Sequence, residues 1–135
     1  MTSPKSQVPR LFRVALPVAD IEKASSFYAC VLATPGERVS KNRHYFDCGG
    51  TILACVEPGP QQGAPSTPNQ EHLFFVVADI EGVFQRAKEA GCRYLDEKVV
   101  TQHWGERAFF AEDPFGNPLG FIDEATLFTG SRLRA

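Results

Sequence analysis

Val18-Ala19-Asp20-Ile21-Glu22 occurs a second time as Val77-Ala78-Asp79-Ile80-Glu81, 59 positions further along the chain. A second match follows, because Asp47-Cys48-Gly49-Gly50 shares its first and last residues with Asp113-Pro114-Phe115-Gly116 at an offset of 66. Two matches in the same order indicate a duplicated unit. The difference between the two offsets predicts a longer loop in the second unit, between residues 91 and 113.

Each unit is predicted to begin with a strand followed by a helix. Apolar residues alternate along both strands, as is typical of a strand with one buried face: Phe12, Val14 and Leu16 in the first unit, and Leu73, Phe75 and Val77 in the second. Asp20 and Asp79 are suited to cap the helices that follow, because a carboxylate accepts hydrogen bonds from free helix N–H groups. Pro35-Gly36 and Gly91 are expected to end these helices.

Two hairpins complete the units, near residues 43–57 and 105–124, around the two Asp-containing turns. The predicted fold class is α+β, with two paired βαβββ modules whose curved mixed sheets enclose a cavity. The predicted boundaries are a single domain over 10–124, modules 10–57 and 71–124, a Gly/Pro-rich linker 58–70, and tails 1–9 and 125–135.

The amino-acid composition and net charge limit the classes of protein to which the chain can belong. The 135 residues are 43% hydrophobic and include 11 Phe, which is typical of one domain with an extensive core. A net charge of −2 argues against a nucleic-acid partner, which favours a basic face. No apolar run is long enough to cross a bilayer, and the polar start MTSPKSQVPR resembles no signal peptide. We therefore expect a cytoplasmic protein with no membrane partner.

The four cysteines stand apart, at positions 30, 48, 55 and 92, with no CxxC pair. Such thiols are usually small core residues in a cytoplasmic chain. A zinc or redox role is the weaker interpretation, since metal and redox motifs have tighter spacing.

The face of each first strand that turns away from its helix is expected to line the cavity between the sheets. The repeat offsets pair equivalent positions on these faces: Arg13 with His72, Ala15 with Phe74, and Ala54 with Gly120. A site in this cavity would therefore contain residues from both modules.

The paired units, the V-x-D start of both helices and the hairpin Asp113-Pro114-Phe115-Gly116-Asn117 resemble the vicinal oxygen chelate superfamily. That superfamily includes glyoxalase I, extradiol dioxygenases, fosfomycin-resistance enzymes and bleomycin-resistance proteins. The resemblance covers residues 10–124 and implies the βαβββ fold and a homodimer. It does not fix a function, because the superfamily spans several chemistries and also pure binding.

The resemblance also implies where a metal would be held. Metalloenzymes of that family take one ligand from the first strand and one from the last strand of each module, which here are Arg13, Ala54, His72 and Gly120. Only His72 is a metal ligand, whereas catalytic Zn²⁺ needs about three protein ligands. We therefore expect no cofactor, with a divalent metal as the alternative. A shift of one residue would instead bring Asp47 or Glu112 closer.

Each candidate residue has a structural and a functional interpretation. His72 is either a satisfied neutral side chain or a ligand contact and acid/base group, since imidazole titrates near neutrality. Arg13 either forms a structural ion pair, or reaches solvent from an edge position, or binds a carboxylate, phosphate or enolate oxygen. Trp104, in the longer loop, either packs that loop or stacks on a planar ligand.

Side chains alternate along the strand that follows this loop, so only one of Glu106 and Arg107 can point toward the cavity. Phe74, Phe109 and Phe110 either belong to the core or line the pocket.

The leading functional hypothesis is metal-independent binding of a small, apolar or aromatic, oxygen-bearing molecule in the cavity between the sheets. The expected ligand-binding residues are Arg13, Ala54, His72, Phe74, Trp104, Arg107 and Gly120. One alternative is an enzyme of the superfamily (lyase, isomerase or dioxygenase) with a rebuilt metal site or with His72 as acid/base. A second alternative is a non-catalytic association module.

Overall fold

The computed structural model describes residues 7–59 and 67–127. The first module comprises β1 (Arg13–Pro17), α1 (Ile21–Leu32), β2 (Glu37–Ser40), β3 (Arg43–Cys48) and β4 (Thr51–Val56). The second comprises β5 (Leu73–Val77), α2 (Ile80–Ala90), β6 (Tyr94–Leu95), β7 (Val100–Thr101), β8 (Arg107–Glu112) and β9 (Pro118–Asp123), followed by a 3₁₀ turn, Glu124–Thr126. Much of the predicted linker 58–70 and parts of both predicted tails lie outside the described residues.

The two sheets have the same topology. Strand order is β1-β4-β3-β2 in the first sheet and β5-β9-β8-β6 in the second, where the short β7 also pairs with β8. The first strand of each module runs parallel to its last strand, and the hairpin strands are antiparallel. The α+β class and the paired βαβββ modules are confirmed. The longer loop of the second module contains β6 and β7, which together take the place of β2.

Both helices begin where the sequence predicts. The Asp20 carboxylate accepts a hydrogen bond from the Lys23 N–H at 3.1 Å, and Asp79 accepts one from the Gly82 N–H at the same distance. Gly91 ends α2 with φ +89°, in the left-handed region that glycine adopts without a steric penalty. The first helix ends earlier than predicted, because Ala33 already adopts this conformation at φ +56°, before Pro35-Gly36.

The core lies between the sheets and the helices, and it is continuous between the modules because α1 packs against α2. Alternation along the strands directs one set of side chains toward the helices, including Leu16, Phe46, Phe109 and Phe121. The opposite set lies on the face of each sheet that no helix covers, which we call the open face. A candidate site is therefore sought on the open faces and between the edge strands β1 and β5.

A buried polar cluster ties the second hairpin to the first module. Asp113 and Asn117 are both 0% exposed. The Tyr28 hydroxyl of α1 donates to the Asp113 carboxylate at 2.7 Å, and the Asn117 amide donates to the Pro17 carbonyl and to Asp113, each at 2.8 Å. Since a buried polar group without a partner is costly, this closed network fixes how the modules sit against each other.

Neither helix of the described chain combines the length and the apolar character that a bilayer-spanning segment requires.

Candidate functional site

An aromatic cluster stands on the open face of the second sheet. The His72 ring stacks on Phe74 with centroids 5.7 Å apart and meets the edge of Phe110 at 5.2 Å. Phe74 also meets Phe110 edge to face at 6.2 Å. Phe74 is 58% exposed, which is unusual for a large apolar side chain. The three rings form an accessible apolar surface with imidazole nitrogens beside it.

Gly120 provides the floor of this aromatic cluster. It pairs with Phe74 on one side and with Phe110 on the other, and it is buried. A Cβ atom placed there would lie 2.6 Å from the Phe74 ring and 3.3 Å from the Phe110 ring. The absence of a side chain at Gly120 therefore lets both rings approach the sheet closely at this position.

A cationic cluster occupies the equivalent place on the first sheet. The exposed Arg13 guanidinium lies over the ring of Phe12 at 5.4 Å and over that of Tyr45 at 5.6 Å. Arg43 donates a hydrogen bond to the Tyr45 hydroxyl at 3.2 Å. Tyr45 pairs with Ala54, which is fully buried. Arg13 has no acidic partner among the described residues, so its charge can meet a ligand oxygen.

The structure thus divides the predicted site residues into two groups. His72, Phe74 and Gly120 come together on the second sheet, whereas Arg13 and Ala54 lie on the first. Phe110, for which the sequence left core and pocket open, belongs to the first of these clusters, and Tyr45 is a further residue of the second. Their sequence signal is the pairing across each hairpin, which places Phe110 opposite Gly120 and Tyr45 opposite Ala54. Phe109, by contrast, is a buried core residue.

Trp104 and Arg107 lie elsewhere. The Trp104 indole donates to the buried Glu106 carboxylate at 2.6 Å and packs edge to face against His103, which accounts for its position. Arg107 forms ion pairs with Glu81 at 2.6 Å and with Asp123 at 3.4 Å. Strand alternation places Arg107 on the same side as Phe109, toward α2. Both side chains are therefore engaged away from the aromatic cluster of His72, Phe74 and Phe110.

The donor set does not fit the metal that the fold implies. The superfamily resemblance assigns the metal-ligand positions to Arg13, Ala54, His72 and Gly120, and these four residues offer one imidazole. A guanidinium stays protonated and repels a cation. Over residues 7–59 and 67–127, no group of three His, Cys, Asp or Glu side chains lies close enough to hold an ion. No reaction step is therefore derived through a metal.

The four thiols are free. Burial, together with the charge of Asp113, raises the pKa of Cys55 to about 12 and that of Cys92 to about 11. Burial also raises the pKa of Cys48. Since the thiolate is the nucleophile and the metal ligand, these three cysteines are poor candidates for either role.

Duplicated βαβββ modules with open sheet faces define a glyoxalase-type architecture. The model of the Glyoxalase/Bleomycin resistance protein/Dioxygenase superfamily matches residues 10–121, and the chain belongs to this superfamily. No curated protein matched the chain.

Three solved structures illustrate how far the fold is shared. A glyoxalase/bleomycin resistance protein from Albidiferax ferrireducens T118 is 19% identical, with a TM-score of 0.72 over 83% of this chain and 96% of that chain. A glyoxalase-related enzyme from Fulvimarina pelagi is 15% identical, with a TM-score of 0.72 over 87% and 90%. A lactoylglutathione lyase from Agrobacterium tumefaciens is 20% identical, with a TM-score of 0.63 over 88% and 96%. At these identities the likeness concerns the fold alone.

Proposed function

We propose that this protein binds a small, apolar or aromatic, oxygen-bearing molecule on its open sheet faces, without a metal. The observation that carries the proposal is the exposed ring cluster of His72, Phe74 and Phe110 on the floor formed by Gly120. A planar ligand stacked on such rings gains contact area and favourable ring geometry, and an exposed apolar surface of this kind is typical of a binding site.

Each open face carries a polar group that can orient a ligand: His72 beside the rings of the second sheet, and Arg13 on the first sheet. The His72 imidazole has no hydrogen-bond partner among the described residues, so it can donate to or accept from a ligand oxygen. Arg13 offers a guanidinium that is held over Phe12 and Tyr45 rather than neutralised by an acid. An apolar surface with a few polar groups is the usual form of a small-molecule site.

We further propose that the protein is a homodimer in which a second copy covers these faces. Phe12 is 52% exposed, Phe74 58% and Val76 49%. Large apolar side chains exposed on β5, and just before β1 at Phe12, are typical of an interface. Light scattering coupled to gel filtration tests this: we expect twice the mass of one chain, and a monomer at micromolar concentration would contradict it.

The enzyme alternative is a second candidate, favoured by the accessible imidazole of His72. A general base needs a ring nitrogen within hydrogen-bond reach of the substrate proton. This alternative predicts that the ligand is converted to a product and that His72→Gln abolishes conversion while retaining binding. Pure binding predicts that the recovered ligand is unchanged.

Calorimetric titration with coumarin, a neutral planar probe that carries oxygens, tests the binding proposal. We expect Phe74→Ala to weaken binding about tenfold or more, because a stacked aromatic contact contributes about 1 kcal/mol or more beyond its buried area. His72→Ala is expected to weaken binding to a smaller degree. His103→Ala serves as the matched control, since His103 packs against Trp104. Equal affinity in all variants would contradict the proposal.

A further inference from the structure

A groove of about 740 Å³ separates the edge strands β1 and β5, with both helices beneath it. We call it the seam groove. Most of its lining is apolar, including Val14, Val31, Leu53, Leu73, Phe75 and Val83. The volume falls within the range of small-molecule sites. His72 and Arg13 are not among its lining residues, whereas Phe74 and Val76 of the open face are, so the groove adjoins the aromatic cluster.

The two modules differ in the contacts of the helix and turn beside the groove. Applying the repeat offsets, Tyr28 corresponds to Ala87 and Asp113 corresponds to Asp47. Where Tyr28 reaches Asp113, a phenol fills the space between helix and hairpin and joins the modules. At the equivalent end, the methyl group of Ala87 cannot make such a bond to Asp47. Ala87 is buried at 1% exposure and does not line the groove, whereas its neighbour Arg86 and the turn residue Asp47 do.

Arg86, the neighbour of Ala87 on α2, brings a positive charge to this groove. Its Nε donates to the Val31 carbonyl near the end of α1 at 3.2 Å, which fixes the guanidinium. Its two Nη groups have no partner among the described residues. No buried side-chain nitrogen in the described chain lacks a partner, so these Nη groups are accessible. They present the planar fork that matches a carboxylate.

The other charged groups of the groove limit how much negative charge a bound ligand can carry. Asp47 and Glu124 also line it, so the three charges sum to −1. A ligand with several negative charges is disfavoured there, whereas a monoanion can pair with Arg86 and place an apolar body along the remaining lining. We propose that the seam groove binds an amphipathic carboxylate, with its two oxygens on the Arg86 guanidinium and its hydrocarbon part between β1 and β5.

Titration with decanoate and its neutral counterpart decanol tests this site. We expect decanoate to bind at least tenfold more tightly than decanol. A charge-assisted hydrogen bond between a carboxylate and a guanidinium is stronger than the hydrogen bond that a neutral alcohol can form. Arg86→Gln is expected to weaken decanoate binding at least tenfold while retaining a donor for Val31. Arg86→Lys is expected to lose less. Methyl NMR shifts on decanoate addition should centre on Val14, Val31 and Val83.

The control variants are Arg93→Gln, which removes a charge that is paired with Glu112, and Arg13→Ala on the open face. Neither is expected to change decanoate binding. Loss of binding in Arg13→Ala with none in Arg86→Gln would overturn the proposal, because the carboxylate would then lie on the open face. Equal affinity for decanoate and decanol would overturn it too. The comparison of the two probes and the NMR shifts need only the unaltered protein, so they remain decisive if Arg86→Gln fails to fold.

Discussion

The two Asp-containing turns stand at equivalent places in the two modules and differ in what they hold. In the second turn, Asp113 is fully buried and accepts hydrogen bonds from Tyr28, from the Asn117 amide and from the N–H groups of Phe115 and Asn117. In the first turn, Asp47 is exposed and accepts from the Gly50 N–H. One turn joins the modules, and the other closes its own hairpin.

The difference shows how a duplicated fold becomes functionally asymmetric. The side-chain hydrogen bonds of the first turn stay within its own module, where Thr51 donates to the Leu11 carbonyl and Arg10 to the Gly50 carbonyl. No tyrosine stands at position 87, and no hydrogen bond in the described part of the chain joins this turn to the second module. The tied end fixes the orientation of the sheets, and the untied turn lines the seam groove.

The largest expected effect comes from removing the buried carboxylate. Asp113→Ala leaves the Tyr28 hydroxyl and the Asn117 amide short of a buried acceptor, so we expect a loss of about 3–5 kcal/mol in the free energy of unfolding. Asp47→Ala, the matched change at the untied turn, is expected to cost about 1 kcal/mol or less. Urea denaturation measures both. Equal losses would show that the two turns are equivalent after all.

A smaller loss of stability is expected from removing the single hydroxyl that reaches the buried turn. Tyr28→Phe keeps the ring and deletes the donor to Asp113, so we expect a loss of about 1–2 kcal/mol. Tyr45→Phe deletes a hydroxyl that accepts from Arg43 near the surface and is expected to change stability by less than about 0.5 kcal/mol. Thermal and urea unfolding measure the pair, and a larger loss for Tyr45→Phe would contradict the account.

Alkaline pH is expected to destabilise the fold through groups around the tied turn. Burial and the Asp113 charge raise the pKa of Cys55 to about 12 and of Cys92 to about 11, and they raise the pKa of Tyr28 well above its usual value. The folded chain therefore keeps protons that the unfolded chain has lost, so stability falls as pH rises.

The expected profile is a decline that begins near about pH 8.5, where thiols of the unfolded chain ionise, and continues toward the folded values. Urea denaturation in reducing buffer at successive pH values measures it. Replacing Cys55 and Cys92 by Ala should flatten the part of the decline below the ionisation of tyrosine. A rise in stability over this range would contradict the buried environment of these groups.

The smallest effect is expected at the untied turn. Arg10→Ala removes an exposed hydrogen bond to the Gly50 carbonyl, so stability should change by less than about 0.5 kcal/mol. Differential scanning calorimetry measures this change. A loss comparable to that of Tyr28→Phe would indicate that the first turn is anchored more firmly than its contacts imply.

Much of the fold could be predicted from the repeat. The alternation of Leu73, Phe75 and Val77 fixed which face meets the helices, and Asp20 and Asp79 marked where the helices begin. The repeat also placed His72, Phe74 and Gly120 on one surface, because strand registers follow the hairpin turns.

Other features depend on contacts between elements far apart in the chain. Nothing local signals that Tyr28 reaches Asp113 or that the turn at Asp47 lines a groove, since both depend on how α1 and α2 pack. Arg107 is a second example. The sequence did not determine on which face of its strand the side chain lies, whereas in the structure its ion pairs with Glu81 and Asp123 place it on the helix side.

Metal independence of ligand binding is tested by metal analysis of protein purified without chelator, with a coumarin titration of the same sample before and after EDTA treatment. We expect far less than one equivalent of Zn, Ni, Fe or Mn and the same coumarin affinity in both titrations. Near-stoichiometric metal, with binding lost on chelation and restored by that ion, would contradict the account.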